Sequence, residues 1–70
     1  MLILLRKALF DSNGNLIGEA PILIPRDRIK EIRESSTISG QSDVFYIDVY
    51  GDFISIVTVL DTVYEIYEQQ

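Results

Sequence analysis

The 70-residue chain holds no cysteine, no histidine and no tryptophan, only two prolines and four glycines, and no lysine or arginine after Arg33. Each absence closes a route. Without cysteine there are no disulfides, and without cysteine or histidine the usual transition-metal ligands are missing. The same absences exclude nucleophilic catalysis by a thiol, or by a serine with an imidazole base. No apolar run approaches the roughly 20 residues of a membrane-spanning helix. The opening Met1–Leu5 is apolar for five residues and precedes Arg6 and Lys7, the reverse of a secretory signal. These features predict a cytoplasmic protein with no cofactor and no membrane contact.

What is present suits one small domain spanning residues 1–70. A chain this short buries a small fraction of its surface and, lacking disulfides and metals, must rely on a compact core or on self-association. Its 47% hydrophobic content and seven aromatics (four Tyr, three Phe) suit both. The net charge of −5 is unevenly spread. Through Arg33, six cations against four acids give +2; from Glu34 onward, seven acids and no base give −7. Such asymmetry marks either a binding surface or two parts of one fold that neutralise each other.

Along the chain, Leu2–Phe10 is apolar on both alternation faces, and Asp11-Ser12-Asn13-Gly14-Asn15 follows. Asn-Gly supplies the two positive-φ positions of a type I′ turn, so the segment reads as a hairpin returning along Leu16–Ile24. Gly18 marks a bulge or close approach, and Pro21 makes this second strand an edge or kinks it. In Arg26–Glu34 only Ile29 and Ile32 are apolar, which predicts a short strand-like segment with both anchored in the core, or a single helical turn. Ser35–Asp43 reads as a mobile polar loop. Val44–Tyr50 alternates, with Phe45, Ile47 and Val49 on one face and Tyr46, Asp48 and Tyr50 on the other. Gly51-Asp52 turns it into the β-branched Phe53–Val59. Leu60, Val63, Tyr64 and Tyr67 then fall at helical spacing, opened by the capping-box pattern Thr62-x-x-Glu65. The expected fold is α+β and mainly β: a twisted antiparallel sheet or small open barrel of four or five strands, with two hairpins and one short C-terminal helix.

Few constellations carry chemistry. Asp48 and Asp52 flank a turn and read as solvated hairpin residues. A calcium loop counted from Asp11 fails, because Leu16 stands where glycine belongs and Ile22 where glutamate belongs. The glycines are too dispersed to cradle a phosphate. A basic stretch of Arg26, Arg28, Lys30 and Arg33, with Tyr46 or Tyr50 for base stacking, suits nucleic acid. Asp27, Glu31 and Glu34 interrupt it, and backbone binding draws on a positive face. Tyr46, Tyr50, Tyr64 and Tyr67 exceed what a small core buries easily, and tyrosine is enriched at protein interfaces.

Two resemblances bear on this. Gly18, the run Pro25-Arg26-Asp27-Arg28-Ile29-Lys30-Glu31-Ile32-Arg33-Glu34 and the ending Asp61-Thr62-Val63-Tyr64-Glu65-Ile66 resemble the flagellar FlbD/SwrD-like family of small sheet proteins, over Leu16–Glu68. That resemblance implies a cytoplasmic accessory or regulatory protein without catalysis. The opening Met1-Leu2-Ile3-Leu4-Leu5-Arg6-Lys7 is similar to the start of the carbon-storage-regulator family of RNA-binding dimers. Asp61 stands near the place of that family's second basic residue, and an acid there would repel phosphate.

The reading that follows is a non-enzymatic protein-interaction or regulatory domain of bacterial or phage type. It is expected to self-associate through an exposed strand edge with tyrosines. Its candidate partner-binding residues are Arg26, Arg28, Lys30, Arg33, Tyr46, Tyr50, Tyr64 and Tyr67. The alternatives are a nucleic-acid-binding regulator using these cations with Arg6 and Lys7, and an acidic decoy whose −7 segment covers a basic site on a partner.

Overall fold

The computed structural model describes residues 1–48, 50–51 and 53–69. Five antiparallel strands form one open sheet, β1 (Leu2–Phe10), β2 (Leu16–Pro25), β3 (Ile29–Glu34), β4 (Ser42–Ile47) and β5 (Ile54–Val59), followed by a short helix α1 (Val63–Glu68). Their order across the sheet is β2-β1-β5-β4-β3, so β2 and β3, consecutive in the chain, lie on opposite edges. Only the 3-10 turn Arg26–Arg28 joins them. In a flat sheet these edges stand roughly 19 Å apart. The four Cα steps from Pro25 to Ile29 reach at most about 15 Å. The sheet therefore curls until its edges approach at one end, although no ladder joins β2 to β3 among the described residues.

Curling encloses the core. Ile3, Leu5 and Ile24 from the hairpin meet Val44, Val57 and Val59 from the other strands, and Ile66 from α1 caps them. Ile22, Ile29, Ile32 and Tyr46 pack against this cluster.

The first hairpin forms where the sequence places it but by a different turn. No non-glycine residue among those described has positive φ, so Asn13 is not in a type I′ turn. Instead the Gly14 amide donates to the Asp11 carbonyl, giving a type I turn, and Gly14 at φ +83° reverses the chain. Asp11 holds this loop: one carboxylate oxygen accepts the amides of Asn13 and Asn15, each at 2.9 Å. The bulge expected at Gly18 falls beside it, since Leu9 pairs with Gly18 and Phe10 with Leu16, leaving Ile17 unpaired.

Ile29 and Ile32 would point to opposite faces of a regular strand. A register shift between Ile29 and Glu31 inserts Lys30 as an extra residue, and both isoleucines turn inward. The connection to β4 is closed by hydrogen bonds: Ser35 donates its amide to Gln41, and its hydroxyl oxygen accepts the amides of Thr37 and Ile38. Strand β4 begins at Ser42, ahead of the expected Val44, and ends at Ile47. The expected positions of Val49 and Asp52 lie outside the described residues.

Helix α1 opens with the expected capping box, the Glu65 amide donating to Thr62 Oγ1 at 3.2 Å and the Thr62 amide to Glu65 Oε1 at 3.1 Å. Its buried face differs from the expected stripe. Ile66 is the buried residue, while Tyr64 and Tyr67 face outward.

Candidate functional site

The sheet has an apolar interior, and its outer face is apolar as well. Paired residues point the same way, so the outer face follows from the register. On the hairpin it carries Leu2 opposite Pro25 and Leu4 opposite Leu23, then Arg6 opposite Pro21, Ala8 opposite Glu19, and Phe10 opposite Leu16. On β4 and β5 it carries Phe45 opposite Ile56 and Ile47 opposite Ile54. Leu4 and Leu23 are 54% and 58% exposed, and Ile54 and Ile56 are 64% and 62% exposed. Antiparallel sheets usually leave a polar face to water. Among the described residues the outward rows are broken by Arg6 and Glu19 on the hairpin, by Glu31 and Arg33 on β3, opposite Phe45 and Asp43, and by Asp43 and Thr58 on β4 and β5, with Thr58 Oγ1 donating to Asp43 Oδ1 at 2.8 Å. A layer that is apolar on both faces calls for a second cover.

The strand edges are less inviting. Arg6 turns its amide and carbonyl away from β2, the carbonyl accepting the Leu60 amide at 2.8 Å. Arg6 and Pro21 therefore form a non-hydrogen-bonded pair, and by alternation Glu19, Pro21, Leu23 and Pro25 present their backbones to the free edge. Two of these four positions have no N–H to offer an incoming strand. The β3 edge carries the Lys30 bulge, the charged Glu31, Arg33 and Glu34, and Tyr67 of α1 across a groove. Prolines, a bulge and charges are the devices that oppose strand addition. The expected edge interface thus meets two blunted edges.

The eight candidate residues scatter. Arg26, Lys30 and Tyr67 come together with Ile29, Glu31 and Ile32 around a groove of about 190 Å³. Arg33 lies on the outer side, paired to Glu31 at 2.8 Å and stacked 4.9 Å from the Phe45 ring centre. The Glu31 carboxylate raises the pKa of the Arg33 guanidinium. Arg28 donates from Nη1 to the Asp48 carbonyl at 3.4 Å, tying the start of β3 to the β4–β5 turn. In that turn Tyr50 is 95% exposed, its amide donating to Asp48 Oδ1. Tyr46 packs against the core. Tyr64 lines a separate hollow with Glu34, Gly40, Gln41, Thr62 and Val63.

Of the remaining cations, Arg6 is enclosed by acids, with Nε 3.9 Å from Glu19 and 3.7 Å from the buried Asp61. Asp61 also accepts the Arg6 amide at 2.8 Å, taking the place of a strand carbonyl where β5 has ended. Lys7 pairs with Val59 at the crossing of β1 and β5.

The sequence reading missed the outer-face residues Leu4, Leu23, Ile54 and Ile56. The signal was there: both Leu2–Phe10 and the strand after Phe53 carry apolar residues at odd and even positions, which a one-sided sheet does not require. No helix among the described residues is long and apolar enough to cross a membrane. No protein-family model, curated protein or solved structure matches this chain.

Proposed function

We propose that the chain is a non-enzymatic interaction domain of the cytoplasm, a regulatory or accessory protein of bacterial or phage type that docks another protein on the outer face of its sheet. The supporting observation is the exposed block of Leu4, Leu23, Ile54 and Ile56 on a sheet whose other face already holds the core. Fully burying a Leu or Ile side chain contributes about 1.5–3 kcal/mol, so covering these half- to two-thirds-exposed groups recovers on the order of 4–8 kcal/mol. Lost rotational and translational freedom on association costs about 4–15 kcal/mol. These four side chains therefore weigh heavily in whether a complex forms.

The test is recovery of partners from the native host with tagged protein. Leu4→Gln with Leu23→Gln, and Ile54→Thr with Ile56→Thr, alter exposed groups and should preserve the far-ultraviolet circular dichroism spectrum. Partners held by the natural sequence should be lost from at least one variant. Partners held equally by both variants would move the interface off this face.

A nucleic-acid reading has one supporting observation, the meeting of Arg26, Lys30 and Tyr67 in one groove. Glu31 in the same groove and the net charge of −5 weigh against it. Affinity for single-stranded RNA that falls steeply with salt, and is lost in Arg26→Ala with Lys30→Ala, would favour it over the protein reading.

A further inference from the structure

The two outer edges of the sheet are blunted, but the fold leaves a further edge inside it. Backbone groups alternate in direction along β5. The Asp48 amide donates to the Phe53 carbonyl at 3.1 Å, so Phe53, Ser55 and Val57 turn their backbones to β4. Those of Ile54 and Ile56 therefore point the other way, toward β1, as does that of Leu60, whose amide reaches the Arg6 carbonyl. On that side the ladder holds only the pair Lys7–Val59. Continued in register it would set Leu9 beside Val57 and Phe10 beside Ile56, and no such pair forms. The cause lies in the hairpin. Ile17 is the unpaired residue of a bulge opposite Leu9 and Phe10, and a bulge bends and further twists the strands that carry it. The hairpin parts from β5 at that point, and a notch opens between them.

The Ile54–Ile56 edge has none of the devices that protect the outer edges. It holds no proline, no charge and no bulge, and both isoleucines are β-branched. The amides and carbonyls of Ile54 and Ile56 have no ladder partner among the described residues. An extended chain matches groups so spaced, because it offers N–H and C=O alternately along one side. A helix uses its backbone groups internally. A second sheet cannot enter, because the hairpin stands where that sheet's next strand would lie. The occupant is thus a single extended segment. Its residues opposite Ile54 and Ile56 share the outer face with them and form apolar cross-strand pairs. Asp43 and Asp48, neither ion-paired among the described residues, flank this stretch from β4 and suit basic residues at the segment's ends.

We propose that β5 accepts an added strand: an extended segment of a partner protein, apolar at alternate positions and basic at its ends, enters between β5 and the hairpin along Ile54–Ile56. The inference rests on the interaction reading above and adds how the partner is held, by the backbone of β5 as well as by the exposed face.

Amide exchange followed by nuclear magnetic resonance on the full chain tests the backbone pairing, with the capped peptide Lys-Val-Thr-Val-Thr-Val-Lys as the probe. In the free protein the amides of Ile54 and Ile56 should exchange at least about tenfold faster than those of Ser55 and Val57. Peptide at about 1 mM should slow Ile54 and Ile56 severalfold and leave Ser55 and Val57 unchanged. Methylating the valine amides of the peptide, which face β5, should weaken binding at least about tenfold. Methylating the threonine amides, which face away, should weaken it much less. Ile54→Pro removes one donor at the first position of the strand, where proline is tolerated, and should weaken binding with the far-ultraviolet circular dichroism spectrum preserved. Equal protection of all these amides in the free protein, no binding at about 1 mM, or equal weakening by both methylation patterns overturns the proposal. Host partners lost from Ile54→Thr with Ile56→Thr but retained by Ile54→Pro would also overturn it, and would leave the interaction reading standing.

Discussion

The hairpin and the remainder of the molecule contribute alike to the core and differ in almost everything else. Among the described residues the hairpin supplies Ile3, Leu5 and Ile24 to the core cluster, and β4, β5 and α1 supply Val44, Val57, Val59 and Ile66. The hairpin is one long ladder of nine residue pairs closed by a local turn. The rest needs a bulge at Lys30, a hydrogen-bonded connection at Ser35 and a capped helix to enclose its share. Across the seam, β1 and β5 meet at the single pair Lys7–Val59, reinforced by the Leu60 amide on the Arg6 carbonyl and by Asp61 on the Arg6 amide. A two-stranded hairpin is marginal alone. Half a core therefore stabilises neither part, and the two fold as one unit through a narrow joint.

The largest effects should come from breaking either half of the core. Leu5→Ala in the hairpin and Ile66→Ala in the helix should each cost about 2–5 kcal/mol in urea unfolding. Near-ultraviolet and far-ultraviolet transitions should coincide in both variants. Separated transitions in one of them would show that the halves unfold independently.

Next comes the joint. Asp61→Ala leaves the Arg6 amide without its acceptor and the Arg6 guanidinium without its buried partner, a loss of about 1–3 kcal/mol. Asp61→Asn keeps an acceptor and should lose less. A loss in Asp61→Ala no greater than that of a surface substitution would make the seam dispensable.

Smaller again are the local closures, one in each part. Gly14→Ala forces a side chain into left-handed backbone and should cost about 1–2 kcal/mol. Thr62→Ala removes the helix cap and should cost about 0.5–2 kcal/mol. Thermal unfolding of the two variants compares the turn with the cap directly.

The smallest effect is in the pH dependence. The Asn15 amide, above all, holds the Asp11 carboxyl below the usual carboxylate range against desolvation, with further help from the Asn13 amide. The Thr62 amide and then its hydroxyl do the same for Glu65. Both folded values lie below the unfolded ones, so each group adds stability above about pH 4 that is lost as pH falls through its lowered folded value. Asp11→Asn and Glu65→Gln should each flatten the acid limb of stability against pH, measured by urea unfolding between pH 6 and 2. An unchanged limb in Asp11→Asn would mean that the turn hydrogen bonds do not persist in solution.

Much of this architecture was legible because its signals are local. Thr62-x-x-Glu65 caps a helix wherever it is placed, Gly14 tolerates the left-handed region that closes the first turn, and Pro21 suits an edge strand by lacking a donor. The three-residue spacing of Ile29 and Ile32 admitted a bulged strand, and Lys30 is that bulge. The candidate site was far less legible. Tyr46, Tyr50, Tyr64 and Tyr67 were grouped by residue type, yet one packs on the core, one caps a turn and two lie over different hollows.

What the sequence by itself determined is the set of elements, the positions of the turns and the exclusion of disulfides and histidine or thiol chemistry, since these depend on residues close in the chain or on residues that are missing. Only the tertiary structure decided which alternation face of each strand is inner. Period two is equally consistent with Phe45 or Val44 facing the core, and the three-residue link from Pro25 to Ile29 resolves it by forcing the sheet to curl around Val44. The same curvature chose Ile66 over Tyr64 and Tyr67 as the helix anchor and left Leu4, Leu23, Ile54 and Ile56 on the outside. The surface available for binding is thus a product of how the sheet closes, a long-range property that no local pattern encodes.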